Sequence, residues 1–307
     1  MRMMKKRVYG ILGISSIMSN WNADFSGYPK SISNGKIFGS DKAFKYPMKK
    51  MWENQGEKVL YIKSLKVDKG VLIPKTLKER YEQLFPEKKL DKNTETIDVI
   101  KNLFKAIDVK NFGATFAEEG NNISITGAVQ IGQGFNFYDE SNTEVQDILS
   151  AFKNSKDDDA KASTLGKKIV SDEAHYFYPF NINPLAYKEF TELEITDGYT
   201  EEDYLKFKEA ALSSATSFAT NSKVGCDNEF GLFIETEEDF YLPILTQYVK
   251  FEKGEEKNKI TLNLSTILKG VENHIKNIEI YYNPVTTEIV TDISNYKLIN
   301  ILTKKEV

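Results

Sequence analysis

Apolar and polar positions along the chain alternate in blocks of two periods. Residues 7–18, "RVYGILGISSIM", form a short run rich in Val and Ile, closed by the polar turn "SNWNADFSGYP"; this pattern predicts a buried strand. In "FGSDKAFKYPMKKMWENQG" (38–56) the period becomes helical. Phe44, Met48, Met51 and Trp52 share a face, Ser40 or Asp41 can cap the start, Gly56 can stop it, and Pro47 predicts a kink or a division. A further strand is expected at "KVLYIKSLKV", inside a lysine-rich stretch with Pro74 and Pro86, so that 36–92 reads as an inserted helical or web subdomain. "NTETIDVIKNLFKAID" (93–108) predicts a helix with Ile97, Ile100, Leu103, Phe104 and Ile107 on one stripe and Asn93 or Thr94 as its cap.

A hairpin follows in "NFGATFAEEGNNISITGAVQIGQG" (111–134), with "EEGNN" as its turn and glycines at 132 and 134. Residues 135–168 form a long polar connection, the kind of segment that tends to carry function. "AHYFYPFNI" (174–182) and "EFGLFIETE" (229–237) predict strands on either side of a helix at 200–218, where Thr200 and Asp203 have the spacing of a capping box. "KITLNLS" and "IEIYYNP" add strands to a C-terminal extension, 240–307. With the inserts set aside, the order is βαββαβ, an α+β ferredoxin-like (RRM-like) core of the kind shared by RNA-recognition domains. Such a superfold indicates no function by itself.

Composition narrows the classes. The 307 residues are 40% hydrophobic and 28% charged, ordinary for a soluble globular chain. The single cysteine, Cys226, excludes an intramolecular disulfide and a cysteine-based zinc site, and His175 and His274 lie far apart. The apolar run 8–18 contains Gly10, Gly13, Ser15 and Ser16 and lacks a cleavage pattern, and no apolar run reaches the roughly 18 residues of a membrane span; a cytoplasmic setting is expected. The net charge of −4 is unevenly spread. Residues 1–110 hold 23 Lys+Arg against 12 Asp+Glu (+11), and residues 111–307 hold the remaining 18 against 33 (−15). That contrast predicts one polyanion-facing surface on an acidic body.

The candidate chemistry is of binding rather than reaction. "GAVQIGQG" is followed by Phe-Asn, not by the Lys-Ser/Thr of a phosphate loop, and lacks the context of a dinucleotide fingerprint. Lys42, Lys45 and Lys49 recur at i, i+3 and i+7, one side of a helix, and Lys50 adjoins them. They follow a loop whose Asn20, Trp21 and Asn22 can hydrogen-bond and stack on nucleotides. The acidic run at 157–159 lacks the alternation of a calcium loop, and Asp227 and Glu229 have no nucleophile or base nearby in sequence. No catalytic set, metal site or cofactor is expected.

Five blocks, "ILGISSIMSNWNADF", "FGSDKAFKYPMKKMW", "DVKNFGATFAEEGNNISITGAVQIGQG", "LGKKIVSDEAHYFYPFNINP" and "GYTEEDYLKFKEAALSSA", occur in one order between residues 8 and about 240. That ordered set resembles the repeated backbone subunit of type I CRISPR Cascade surveillance complexes, within the RAMP superfamily, and is most similar to the type I-B branch. The resemblance implies a hand-shaped, single palm domain over 1–307, with a thumb at 135–168 rooted at Gln130 and Gln133 on one side and Lys167 and Lys168 on the other. It implies a palm that includes Asn20, Trp21, Asn22, Lys42, Lys45, Lys49 and Lys50 and binds guide RNA. Copies would stack head to tail along the spacer part of the guide, beside other Cascade subunits, pair the guide with a target DNA strand and recruit a helicase-nuclease. Two enzymatic alternatives stay open within the superfamily: an endoribonuclease acting on repeat RNA, for which His175 is the candidate, and one acting on bound target RNA through Asp24.

Overall fold

The computed structural model describes residues 3–87, 89–149 and 164–307. Strand β1 (Arg7–Ser19) sends Val8, Leu12 and Ile14 into one apolar core and Tyr9 and Ile11 into another. That is the two-residue period of a strand covered on both faces. After β2 (Phe38–Gly39), helix α1 (Asp41–Asn54) opens at Ser40, whose Oγ accepts a hydrogen bond from the Ala43 N–H at 3.3 Å. α1 runs through Pro47 without the expected division. Proline gives up one ladder bond there, while Phe44, Met48 and Trp52 bury the turns on either side of it.

The expected strand at 58–67 contracts to β3 (Leu65–Asp68), which among the described residues pairs only with β4 (Val71–Pro74). Helix α2 (Leu77–Leu84) follows, and the single helix expected at 93–108 is two, α3 (Thr96–Leu103) and α4 (Ile107–Phe112). One set of bonds explains both differences. The N–H groups of Leu60 and Tyr61 each donate to the buried Asp108 carboxylate at 2.8 Å, and the Ile107 N–H donates to the Lys58 carbonyl. The caps are accordingly Glu95 and Ala106, and Ile97 stays 43% exposed while Val99 is buried.

The predicted hairpin is present as β5 (Gly113–Glu118) and β6 (Asn121–Thr126), but it forms its own two-stranded sheet. β7 (Val129–Ile131), β8 (Gly134–Asn136) and β9 (Thr143–Leu149) each pair antiparallel with the long β10 (Thr164–Ile182). Strand thus occupies much of the described part of the connection read as a loop at 135–168; its stretch 150–163, with the acidic run at 157–159, lies outside the described residues. Beyond the short α5 (Lys188–Glu192), helix α6 (Glu201–Ser217) starts with the predicted Thr200–Asp203 capping box. It leads into β11 (Cys226–Thr236).

The C-terminal part contributes β12 (Val249–Glu252), β13 (Asn258–Leu262), α7 (Ser265–Leu268), β14 (Ile275–Tyr282), β15 (Thr287–Thr291) and β16 (Lys297–Asn300). In the nine-stranded sheet of the described residues the order is β16-β14-β11-β1-β10-β8-β2, with β7 and β9 also on β10. Residues of α1 and α6 pack on one face, and those of the small β12-β13-β15 sheet pack on the other, giving an α+β sandwich with two cores. Among the described residues, no helix is long and apolar enough to cross a membrane.

Candidate nucleic-acid interface

The lysines of α1 line a cleft of about 630 Å³ between that helix, α4 and the β5–β6 hairpin. Lys42 is exposed and has no carboxylate partner among the described residues, because the first turn of α1 offers only Asp41, which pairs with Lys45 at 2.9 Å. Lys49 sits deeper. Its Nζ lies 3.4 Å from the buried Asp108 and donates to the Tyr61 carbonyl at 3.3 Å. Burial pushes the Lys49 amine below its usual value, against the opposing pull of Asp108. Lys50 leaves the group and pairs with Glu53 at 2.7 Å. One helical side therefore holds an open cation, a half-engaged one and a structural one.

A second cavity, about 490 Å³, lies where the loop after β1 meets the β9–β10 ribbon and the turn before β11. Asn20, Lys167, Lys168 and Lys223 are on its wall, over Ile148, Ile169 and Val170. Lys167 is exposed and Lys168 half-buried, and neither has a carboxylate partner among the described residues. Asn20 is 5% exposed, and its Nδ2 donates to the carbonyls of Gly27 and Ile169 at 3.0 and 3.1 Å, so it ties the loop to β10. Lys223, which nothing in the sequence marked out, donates to the Asn20 carbonyl at 2.6 Å and to the Trp21 carbonyl. Burial lowers its pKa, with no carboxylate to oppose it.

Trp21 is 1% exposed. Its Nε1–H donates to the Tyr178 hydroxyl at 2.5 Å, its ring meets Phe44 edge-on, and Lys223 lies over it at 5.3 Å. The ring is part of the core and presents no surface for a base to stack on. Asn22 is half-buried, and its Oδ1 accepts from the Ser40 N–H at 2.8 Å, joining the loop to the start of α1. Asp24 Oδ1 accepts from the N–H groups of Ser26 and Tyr28 at 2.8 and 3.0 Å, which shapes its own turn.

The two glutamines lie elsewhere. Gln130 faces Asn181 across β7 and β10, donates to the Gly127 carbonyl at 2.8 Å and borders a separate cavity of about 250 Å³; Gln133 is exposed in the link between β7 and β8. Asn181 is separated from Lys167 by 14 steps along β10, roughly 46 Å at strand rise. Gln130 and the lysine pair therefore do not form one base for the ribbon. Its observed root is at Thr143 opposite Ser171, with Asn142 N–H donating to Asp172 at 2.7 Å.

His175, the histidine considered for catalysis, is 1% exposed and held between Glu173 and Glu229. His274 pairs with Glu237 at 2.7 Å and stacks on Phe240. Among the described residues, no group of three or more His, Cys, Asp or Glu is placed to hold a metal ion.

The architecture agrees with that of one solved structure. A solved chain described as "CRISPR RNA-guided surveillance complex, pre-nicking" superposes with a TM-score of 0.55 at 16% identity, over 94% of this chain and 96% of that one. A second, described as "CRISPR RNA-guided surveillance complex", gives a TM-score of 0.46 at 15% identity over 92% and 95%. No curated protein matches the chain. The family model described as "CRISPR-associated protein Cas7" matches residues 6–267, so this chain belongs to the Cas7 family.

Proposed function

We propose that this chain holds the spacer part of a CRISPR guide RNA as the repeated backbone subunit of a type I surveillance complex of the I-B branch. The observation that carries the reading is the set of lysines without carboxylate partners among the described residues, Lys42, Lys167 and Lys168, beside open cavities in a Cas7-family chain. A protein that accepts any spacer grips phosphate and ribose and leaves base edges free to pair with a target DNA strand. Lys45 adds field to the first cleft, while Asn20, Trp21, Asn22 and Lys49 build the walls that hold the cations in place.

A ferredoxin-like βαββαβ core is supported by the antiparallel neighbours β11-β1-β10, with β7 beyond β10 and α6 crossing between β10 and β11. Both faces of that sheet are covered, which leaves the loop ends and the ribbon for RNA. Further copies of the chain and the other subunits stack along the guide in the cytoplasm, and a helicase-nuclease joins once the target is paired. The role is non-catalytic: the histidine with two carboxylates is enclosed, and the Asp24 Oδ1 accepts from its own turn.

The test is salt-dependent binding of single-stranded guide RNA by the complete chain. Replacing Lys167→Ala and Lys168→Ala together lowers affinity and makes the log K against log salt plot shallower by about 1.4, from roughly 0.7 per phosphate contact on a single strand. RNA recovered from the assay stays full length. An unchanged slope overturns the lysine assignment, and defined fragments favour the endoribonuclease alternative.

A further inference from the structure

The sheet face opposite α1 and α6 contains a charged group that RNA binding does not use. His175 of β10 has a carboxylate at each ring nitrogen: Nδ1 lies 2.9 and 2.8 Å from the two Glu229 oxygens, and Nε2 lies 2.9 Å from Glu173 Oε1. A neutral imidazole has one N–H and serves one of them, whereas an imidazolium serves both. Glu229 reaches the ring across the central strand because the β1–β11 register shifts after Gly13. A Cβ at Gly13 would stand 2.7 Å from Phe230 Cβ and 3.3 Å from Glu229 Cγ, so only glycine leaves that passage open.

The C-terminal lobe closes over the ring. Phe251 of β12 stacks on it with centroids 4.0 Å apart and planes at 26°, and Lys253, just past β12, pairs with Glu173 at 2.6 Å. Two carboxylates and two cations balance only when His175 carries its proton. The ribbon root is adjacent, since Asp172 and Ser171 hold Asn142 and Thr143 where β9 begins.

We propose that protonated His175 is a latch, fastening the β12-β13-β15 lobe to the sheet at the root of the β9–β10 ribbon, and that loss of the proton loosens the lobe. The groups facing the ring are Glu173 from its own strand, Glu229 from β11, Lys253 from the lobe and Tyr138, edge-on at 6.2 Å, from the link between β8 and β9; β1 offers only Ser15 opposite. Burial alone would lower the pKa of the ring, but the charges and hydrogen bonds of Glu229 and Glu173 outweigh it and raise the value above 6.5. A raised folded value means that the latch is fully set below pH 6.5 and fades as pH rises through the folded pKa.

Hydrogen exchange on the complete chain tests this without RNA, so its outcome is separable from the guide-binding reading. After correction for intrinsic rate, protection of peptides over 249–262 falls by up to about tenfold per pH unit above the folded pKa of the ring, while peptides over β1 stay protected. In His175→Gln the lobe is poorly protected and insensitive to pH. Lobe protection in the wild type that does not vary with pH, or a His175→Gln profile like the wild type, overturns the latch. If His175→Gln does not fold, the exposed Lys253→Ala is used, and nitrogen NMR of the wild-type ring across pH decides: an imidazolium that persists above pH 6.5 supports the latch, and a ring that turns neutral below pH 6.5 overturns it.

Discussion

The Nε1–H of Trp21 and the hydroxyl of Tyr178 meet at 2.5 Å in a space that exists because residue 39 is glycine; a Cβ there would stand 1.8 Å from the tyrosine oxygen. Trp21→Phe keeps most of the ring volume and removes the donor, so a buried hydroxyl loses its short partner. The cost is about 1–3 kcal/mol, read as a lower Tm, while the folded variant binds guide RNA as before. A loss of affinity at unchanged Tm would instead put the ring on the RNA. The sequence shows an aromatic residue among amides in a polar loop, which is how a stacking platform looks. Its burial depends on Tyr178, 157 positions away, and on Gly39, and no local pattern reports such a meeting. Lys223 was invisible for the same reason: it is an ordinary turn lysine until the fold sets it against the Asn20 and Trp21 carbonyls. Lys42, Lys45 and Lys49 were legible because a helical period alone puts them on one side.

Helix α6 shows what local rules can establish. Thr200 Oγ1 accepts from the Asp203 N–H at 3.2 Å and the Asp203 carboxylate accepts from the Thr200 N–H at 2.8 Å, a box written within four residues. Thr200→Ala breaks it and is expected to cost about 0.5–2 kcal/mol in thermal unfolding, with Thr200→Ser recovering most of the loss. Equal Tm values for all three chains would show that the packing of α6 against β11 and α1, and not its cap, sets where the helix starts. α3 and α4 are the counter-example. Their apolar stripe is continuous in sequence, but the Ile107 N–H is taken by Lys58 and the Asp108 carboxylate by Leu60 and Tyr61, so partners nearly 50 residues upstream break the helix. The sequence of the ribbon reads as a loop because β9 is exposed at all seven positions and has no buried face for a pattern to reveal.

Charge and exposed apolar surface together bear on how copies of the complete chain meet. The β3–β4 ribbon, from the basic first 110 residues, pairs Leu65 with Pro74 and Val67 with Leu72, so all four share one face, and all four are exposed among the described residues. Lys63, Lys69 and Lys75 lie in and beside that ribbon. β9, from the acidic remainder, exposes Val145 and Leu149 on one face with Asp147 between them, and Ile148 on the other face with Glu144. Two unlike, complementary patches on one chain favour a heterologous contact, which repeats without closing. Without RNA, the mean sedimentation coefficient should therefore rise steadily with protein concentration at low salt. It should fall as ionic strength shortens the range of the attraction, from about 30 Å at 0.01 M to about 10 Å at 0.1 M. Val67→Asp with Leu72→Asp should hold the chain near a single copy at every concentration, at wild-type Tm because neither side chain is buried. A heterologous contact would leave the double variant an intact β9 patch, with which it should cap growing wild-type assemblies when mixed with them. A plateau at two copies would mean a closed, isologous contact, and unchanged association of the double variant would move the interface away from the β3–β4 ribbon.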